Sequence, residues 1–235
     1  MLKISILYDN RSIERRFTYA WGFSCLVEGL GHNILFDTGG RGDILLHNME
    51  EMKIGLNKIE HIFLSHIHGD HTGGLISILK NKGKVTIWIP DSFPESAKYD
   101  LGSFGARVKG IDMASHLFEN VYSTGQLGKF PMEHALIIDT EKGLILITGC
   151  AHPGIANLVI KAANYLNKNI YLVLGGFHLI GYPQNDIKHT IKLLREMGVK
   201  KIAPCHCTGE DAIELFKKEY GEDYIDVGVG TIIQI

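Results

Sequence analysis

The sequence predicts an α/β protein with two mixed β-sheets and helices packed outside them. Three observations carry this. Short apolar, β-branched runs recur along the whole chain, and longer segments with helical spacing separate the later ones. Five of the apolar runs end in polar, glycine-bearing turns: LFDTGG, FLSHIHGDH, LITGCAHPG, VLGGFHL and IAPCHCTG. In α/β sheets the loops at the carboxyl ends of strands gather the ligands. All of these endings except the first carry a histidine.

Taken in order, strands are predicted over 3–8 (KISILY), 24–29 (SCLVEG), 33–39 (NILFDTG), 61–66 (HIFLSH) and 84–89 (KVTIWI). They continue over 135–139 (ALIID), 144–149 (LILITG), 170–176 (IYLVLGG), 201–204 (KIAP) and 230–235 (GTIIQI). Ile155, Leu158, Val159, Ala162 and Leu166 repeat at helical intervals, as do Ile187, Ile191 and Leu194, with Gly198 placed to stop the second helix. Thr208 and Asp211 have the spacing of a capping box that opens a third helix, ending near Gly221. His47 and His189 fall in helical segments with polar neighbours and read as surface residues. The stretch 90–115 (PDSFPESAKYDLGSFGARVKGIDMAS) has prolines, glycines and no periodicity, so it reads as a long loop excursion over a site. Tyr99, Phe104 and Arg107 are its candidate substrate contacts. No linker or low-complexity segment interrupts the chain, so a single domain, 1–235, is expected.

Composition narrows the function classes. The chain has 235 residues, 45% hydrophobic and 21% charged, with a formal net charge of -2. That balance suits a globular enzyme acting on a small-molecule substrate and speaks against a nucleic-acid or membrane-surface partner. The start, MLKISILYDN, lacks the features of a signal peptide, and no run has the apolar length of a membrane span. The expectation is a cytoplasmic protein; its oligomeric state has no signature in the sequence. The cysteines, Cys25, Cys150, Cys205 and Cys207, are too sparse for a disulfide scaffold. Cys25 reads as a buried thiol, while the other three lie beside histidines.

The stretch SHIHGDHTGG, 65–74, concentrates the chemistry. Side chains two apart on extended backbone point the same way, so His66 and His68 can grip one cation while Ile67 turns back into the core. Gly69 lets the chain swing, and Asp70 and His71 then arrive from another direction, as a second cation requires. Paired-metal sites hold their ions roughly 3.5–4 Å apart. One turn cannot complete two coordination spheres. Further donors are sought among His152, His178 and His206, each following a predicted strand with a glycine within three residues. A polar loop with merely solvated histidines is the alternative, and three imidazoles plus an aspartate in this order argue against it.

The HxHxDH pattern at 66–71, the upstream ILFDTG, the downstream TGGL and the late histidine after a strand resemble the metallo-β-lactamase superfamily. The resemblance runs along nearly the whole chain in the right order. WGFSCLVE, LILITGCAHPGI, GGFHL and HCTG are similar to the branch that contains the methanopterin-precursor synthase. The resemblance implies a four-layer αββα sandwich. It implies that His66, His68 and His152 hold a first metal, and that Asp70, His71 and His206 hold a second. Asp37 would brace the histidine turn without touching metal. Asp70 and His178 are the candidate catalytic groups.

The chain also departs from the pattern. Superfamily hydrolases usually carry a bridging aspartate in a Gly-Asp pair, whereas the corresponding pairs here are Gly149-Cys150 and Gly175-Gly176. For Cys150 a thiolate ligand and an inert buried thiol both stay open. Cys205 and Cys207 flank His206 on alternate sides, so at most one should approach a metal. His178 has three open roles: ligand, general acid and substrate contact. Zn²⁺, as one or two ions, is the default metal, with Fe, Mn and Ni open because imidazole suits all of them. The functional expectation is a metal-dependent hydrolase whose metal-held hydroxide attacks an ester, lactone or phosphoester. Alternatives are a synthase or transferase acting on a phosphoribosyl-containing substrate, an iron-binding redox protein, and a non-catalytic metal binder. Specificity is expected from 90–115 and from Tyr19-Ala20-Trp21-Gly22.

Overall fold

The structure, a computed structural model, describes residues 1–82 and 84–235. The chain forms β1 (Lys3–Tyr8), β2 (Ser24–Glu28), β3 (Ile34–Phe36), α1 (Gly42–Glu51), β4 (His61–Phe63), α2 (Gly69–Thr72), α3 (Leu75–Lys82) and β5 (Thr86–Pro90). It continues with α4 (Glu95–Ser103), β6 (Arg107–Ile111), β7 (Met113–Phe118), β8 (Val121–Gly125), β9 (Leu136–Thr140), β10 (Gly143–Thr148) and α5 (Ile155–Leu166). The last elements are β11 (Ile170–Gly176), α6 (Gln184–Glu196), β12 (Lys201–Cys205), α7 (Glu210–Tyr220) and β13 (Ile232–Gln234). Where the sequence predicts one domain, the chain divides into two compact units: Met1–Asp112 with Gly228–Ile235, and Met113–Val227.

In the first unit the described residues form a seven-stranded sheet in the order β13-β1-β2-β3-β4-β5-β6. β1 pairs antiparallel with β13 and β2, and β2 with β3, whereas β3, β4, β5 and β6 run parallel. Parallel neighbours need a crossover, and α1, α3 and α4 fill these connections. Ile44, Leu45 and Met49 of α1 and Leu75, Ile78 and Leu79 of α3 pack with Leu7, Leu26, Leu35, Ile62 and Ile87 in one apolar core. β2 and β3 are buried at nearly every position, which is why they read as continuous apolar runs rather than alternating ones.

In the second unit the order is β12-β11-β10-β9-β8-β7. β7 to β10 form an antiparallel meander, and β10, β11 and β12 are parallel with α5 and α6 as crossovers. Leu158, Val159 and Ala162 of α5, Ile187, Ile191 and Leu194 of α6, and Ala212 and Phe216 of α7 share a core with Ile137, Leu146, Val173 and Ile202. Both sheets are therefore mixed and carry helices, as expected. The five polar endings follow β3, β4, β10, β11 and β12, each paired to a parallel neighbour, so they are carboxyl-end loops as the sequence suggests. His47 and His189 are exposed on α1 and α6. Among the described residues, no helix is long and apolar enough to cross a membrane.

Two expectations are corrected. The stretch 90–115 is not a loop excursion: it holds α4 and β6 and reaches into β7. β6 extends the first sheet in register with β5 from Thr86↔Arg107 to Pro90↔Ile111. Phe104 packs against the first core, while Tyr99 is exposed on α4. The capping box does not form, because α7 begins after Gly209 with no side-chain cap. The Thr208 hydroxyl instead donates to the Cys205 carbonyl (2.7 Å) and accepts from the Phe177 amide (3.0 Å). The glycine-rich stretch after His68 closes one helical turn, α2, with the Thr72 amide donating to the His68 carbonyl.

Candidate functional site

In the first unit the turn after β4 is organised by Asp37, at the end of β3. Its fully buried carboxylate accepts from the Ser65 amide (2.7 Å), the Ser65 hydroxyl (2.7 Å) and His71 Nδ1 (2.7 Å). A carboxylate can only accept here, so His71 carries its proton on Nδ1 and presents Nε2 as a lone pair. The same logic reaches His66. The single Ser65 O–H is spent on Asp37, so the 2.9 Å contact between Ser65 Oγ and His66 Nδ1 is donated by the ring. His66 therefore also presents Nε2 as a lone pair.

Those lone pairs face other donors. His66 Nε2 lies 3.2 Å from His68 Nδ1, and His71 Nε2 lies 3.5 Å from an Asp70 carboxylate oxygen. At such distances each pair of atoms could share a cation. The 3.2 Å separation is close to the edge, about 3.3 Å, of a tetrahedron with zinc–nitrogen arms of about 2.0–2.1 Å. His66, His68, Asp70 and His71 lie together at this turn, and Asp37 hydrogen-bonds Ser65 and His71 behind it.

The backbone fixes this turn from several sides. The Thr38 amide and hydroxyl both donate to the His71 carbonyl (2.7 and 2.9 Å). The Phe23 amide donates to the Asp70 carbonyl (3.3 Å). Gly22, at φ 142°, leaves no space for a side chain, since a Cβ there would meet the Asp70 carbonyl oxygen at 2.4 Å. The segment 19–22 is thereby held against the turn with Tyr19 and Trp21 exposed. Cys25 is fully buried, and burial followed by the nearby Asp37 charge pushes its thiol well above the usual range. It is an inert packing residue.

In the second unit the organising group is Glu133, which sequence reading missed. Its buried carboxylate accepts from Thr148 Oγ1 (2.8 Å) and from the amides of Gly149 (3.1 Å), Cys150 (3.0 Å), Ala151 (2.9 Å) and His152 (2.9 Å). It also accepts from His152 Nδ1 (2.8 Å), which leaves Nε2 of His152 as a lone pair. Glu133 thus does for His152 what Asp37 does for His71. The sequence signal was faint: an acidic residue just ahead of the apolar run ALIID.

His178 is exposed, with its ring centroid 4.7 Å from that of His152. Donor atoms of Cys150, His152 and His178 lie within 4.8 Å of one another, and so do those of Cys150, His206 and Cys207. Among the described residues Cys205 joins neither group. A hydrogen bond with Cys207, ahead of an opposing desolvation effect, raises the His178 pKa above its usual value. The loops are cross-tied: the Gly176 amide donates to the Gly149 carbonyl (3.1 Å) and the Leu179 amide to the Cys207 carbonyl (3.2 Å). Gly176 could not be the missing aspartate, since a Cβ there would meet Cys207 Sγ at 2.5 Å.

Asp37 (φ 51°), Ala151 (φ 56°), His178 (φ 54°) and His206 (φ 50°) all adopt left-handed backbone conformations. Such conformations cost roughly 1–3 kcal/mol each for residues other than glycine and concentrate at functional sites. All four stand at the ends of parallel strands that carry the candidate donors.

Residues 22–165 match the model of the metallo-beta-lactamase superfamily. The chain is 34% identical, over 91% of its length and 89% of the relative's, to 7,8-dihydropterin-6-methyl-4-(beta-D-ribofuranosyl)-aminobenzene-5'-phosphate synthase of Methanocaldococcus jannaschii. It is 31% identical, over 99% of its length and 100% of the relative's, to an uncharacterized protein of the same organism. Among solved structures it is similar to a metal-dependent hydrolase of the beta-lactamase superfamily, with a TM-score of 0.84, 28% identity, and coverage of 100% of this chain and 99% of that one.

Proposed function

The chain belongs to the metallo-beta-lactamase superfamily, and from that premise we propose that it is a metal-dependent hydrolase of an ester, lactone or phosphoester in a small-molecule substrate. One observation carries the reading. His71 and His152 are each fixed by a buried carboxylate through Nδ1, at 2.7 and 2.8 Å, and so present Nε2 outward. Metal-binding imidazoles are characteristically held by such a carboxylate behind the ring. The proposed donors are His66, His68, Asp70 and His71 in the first unit and, taken by themselves, His152 and His206 in the second, with Zn²⁺ the default metal. When bound, the metal supplies Lewis acidity, which polarises a substrate oxygen and makes water a nucleophile near neutral pH.

The chain's own residues do the rest. Asp37 and Glu133 hold the tautomers in which the binding nitrogens stay unprotonated. Asp70 contributes a carboxylate beside His71. His178, at the edge of the second group, is the proton donor for the leaving group, because an imidazole titrates near neutral pH and this ring is exposed. Turnover tests the reading. Chelator-stripped and Zn²⁺-restored protein is assayed on a phosphodiester, a lactone, a carboxylic ester and a phosphomonoester. Metal-dependent hydrolysis of one class is expected, and turnover equal with and without metal would refute the proposal.

A second reading is favoured by the 34% identity to the methanopterin-precursor synthase. In it the same donors serve a synthase or transferase reaction on a phosphoribosyl-containing substrate. It predicts metal binding without hydrolysis of that panel, together with retention of a phosphoribosyl compound.

A further inference from the structure

Cys150 occurs in both donor groups of the second unit: with His152 and His178, and with His206 and Cys207. No other residue of those groups is shared. We propose that the Cys150 thiolate is a metal ligand common to two adjoining metal positions, one completed by His152 and the other by His206. This rests on the metal-binding reading above and gives sulfur the part for which no aspartate is present.

Several features aim Cys150 at that role. Its amide and those of both neighbours donate to Glu133, so the carboxylate that orients His152 also fixes the backbone of Cys150. Ala151 between them takes a left-handed conformation, φ 56°, and the donor atoms of Cys150 and His152 fall in one group. Cys150 is buried, so its sulfur is directed at protein groups rather than solvent. Cys207 is the competing sulfur: it hydrogen-bonds with His178 and with the Cys150 side chain, and its sulfur lies 3.6 Å from the Cys150 carbonyl oxygen, so Cys207→Ser is the control that separates the two thiols. Thiolate is a soft ligand, so the proposal also ranks the metals. Zn²⁺ and Fe²⁺ fit a site with sulfur, whereas Mn²⁺ and Mg²⁺ prefer oxygen.

The probe is Co²⁺, titrated under reducing conditions into chelator-stripped wild type, Cys150→Ser, Cys150→Asp and Cys207→Ser. Visible d–d absorption reports binding, and near-ultraviolet sulfur-to-metal charge transfer reports a bound thiolate. Wild type is expected to show both, and Cys207→Ser should keep both. Cys150→Ser should lose charge transfer and bind the second equivalent more than about tenfold more weakly. Cys150→Asp should recover that equivalent without charge transfer. Wild type with d–d absorption but no charge transfer would overturn the proposal while leaving metal binding intact. So would charge transfer that survives in Cys150→Ser or vanishes in Cys207→Ser. Absence of any d–d absorption in wild type would overturn the metal-binding reading itself. Wild type and Cys207→Ser decide the matter even if the Cys150 variants fail to fold.

Discussion

Asp37 Oδ2 stands 2.7 Å from His71 Nδ1, and both side chains are fully buried. The aspartate ends one strand and the histidine follows the next, so a single contact fixes the tautomer of a ligand and couples two loops. Asp37→Ala leaves every proposed ligand in place but removes this brace. Zn²⁺ affinity should fall about 10–100-fold, the usual loss when a ligand's hydrogen-bond partner is removed. Isothermal titration of stripped protein measures it, and an unchanged affinity would count against the bracing role.

Glu133 should matter more for stability. Glu133→Gln places an amide N–H₂ among groups that are themselves donors. Breaking a buried charged network in this way typically costs about 3–5 kcal/mol. Urea unfolding of the metal-free variant at neutral pH is expected to show a loss of that order. A change below about 1 kcal/mol would mean that the carboxylate is not what holds residues 148–152.

His178→Ala should keep the bound metal and lower kcat by about 10²–10⁴-fold, the range for one general acid. A substrate with a good leaving group should be far less affected. Loss of metal in the variant would instead make His178 a ligand.

His61 gives a pH signature away from the proposed ligands. Burial, then the neighbouring His32 charge, pushes its pKa from 6.5 down to about 4, and its Nδ1 accepts from Trp88 Nε1 at 3.2 Å. With the folded value depressed, the unfolded chain binds more protons across that window. The contribution of His61 is fully present above pH 6.5 and is lost as pH falls towards 4. Metal-free wild type should therefore lose stability over this range more steeply than His61→Phe. Equal slopes in denaturant unfolding would contradict the assignment.

Legibility in the sequence followed burial. β2, β3, β4, β10 and β11 are nearly fully buried, so their apolar runs stood out. β6 and β7 are edge strands with mostly exposed or half-buried positions, among them Arg107, Lys109 and Ser115, and nothing in their pattern alternates clearly. The short helix α4 was missed because its apolar positions are few and interrupted by polar or glycine residues. The histidine turn was readable because its donors are contiguous. Glu133 was not, because it works through backbone amides 16 to 19 residues away, a relation that only the folded chain creates.

The central claim is that the histidine turn binds metal, and equilibrium Zn²⁺ binding tests it most directly. Chelator-stripped wild type, His66→Ala and His71→Ala are dialysed against buffered Zn²⁺, and metal per chain is determined by mass spectrometry. The account predicts one or two ions in wild type and at least one ion fewer in each variant when the wild type binds two, or none when it binds one. A metal-free wild type, or variants that bind as much as wild type, would contradict it.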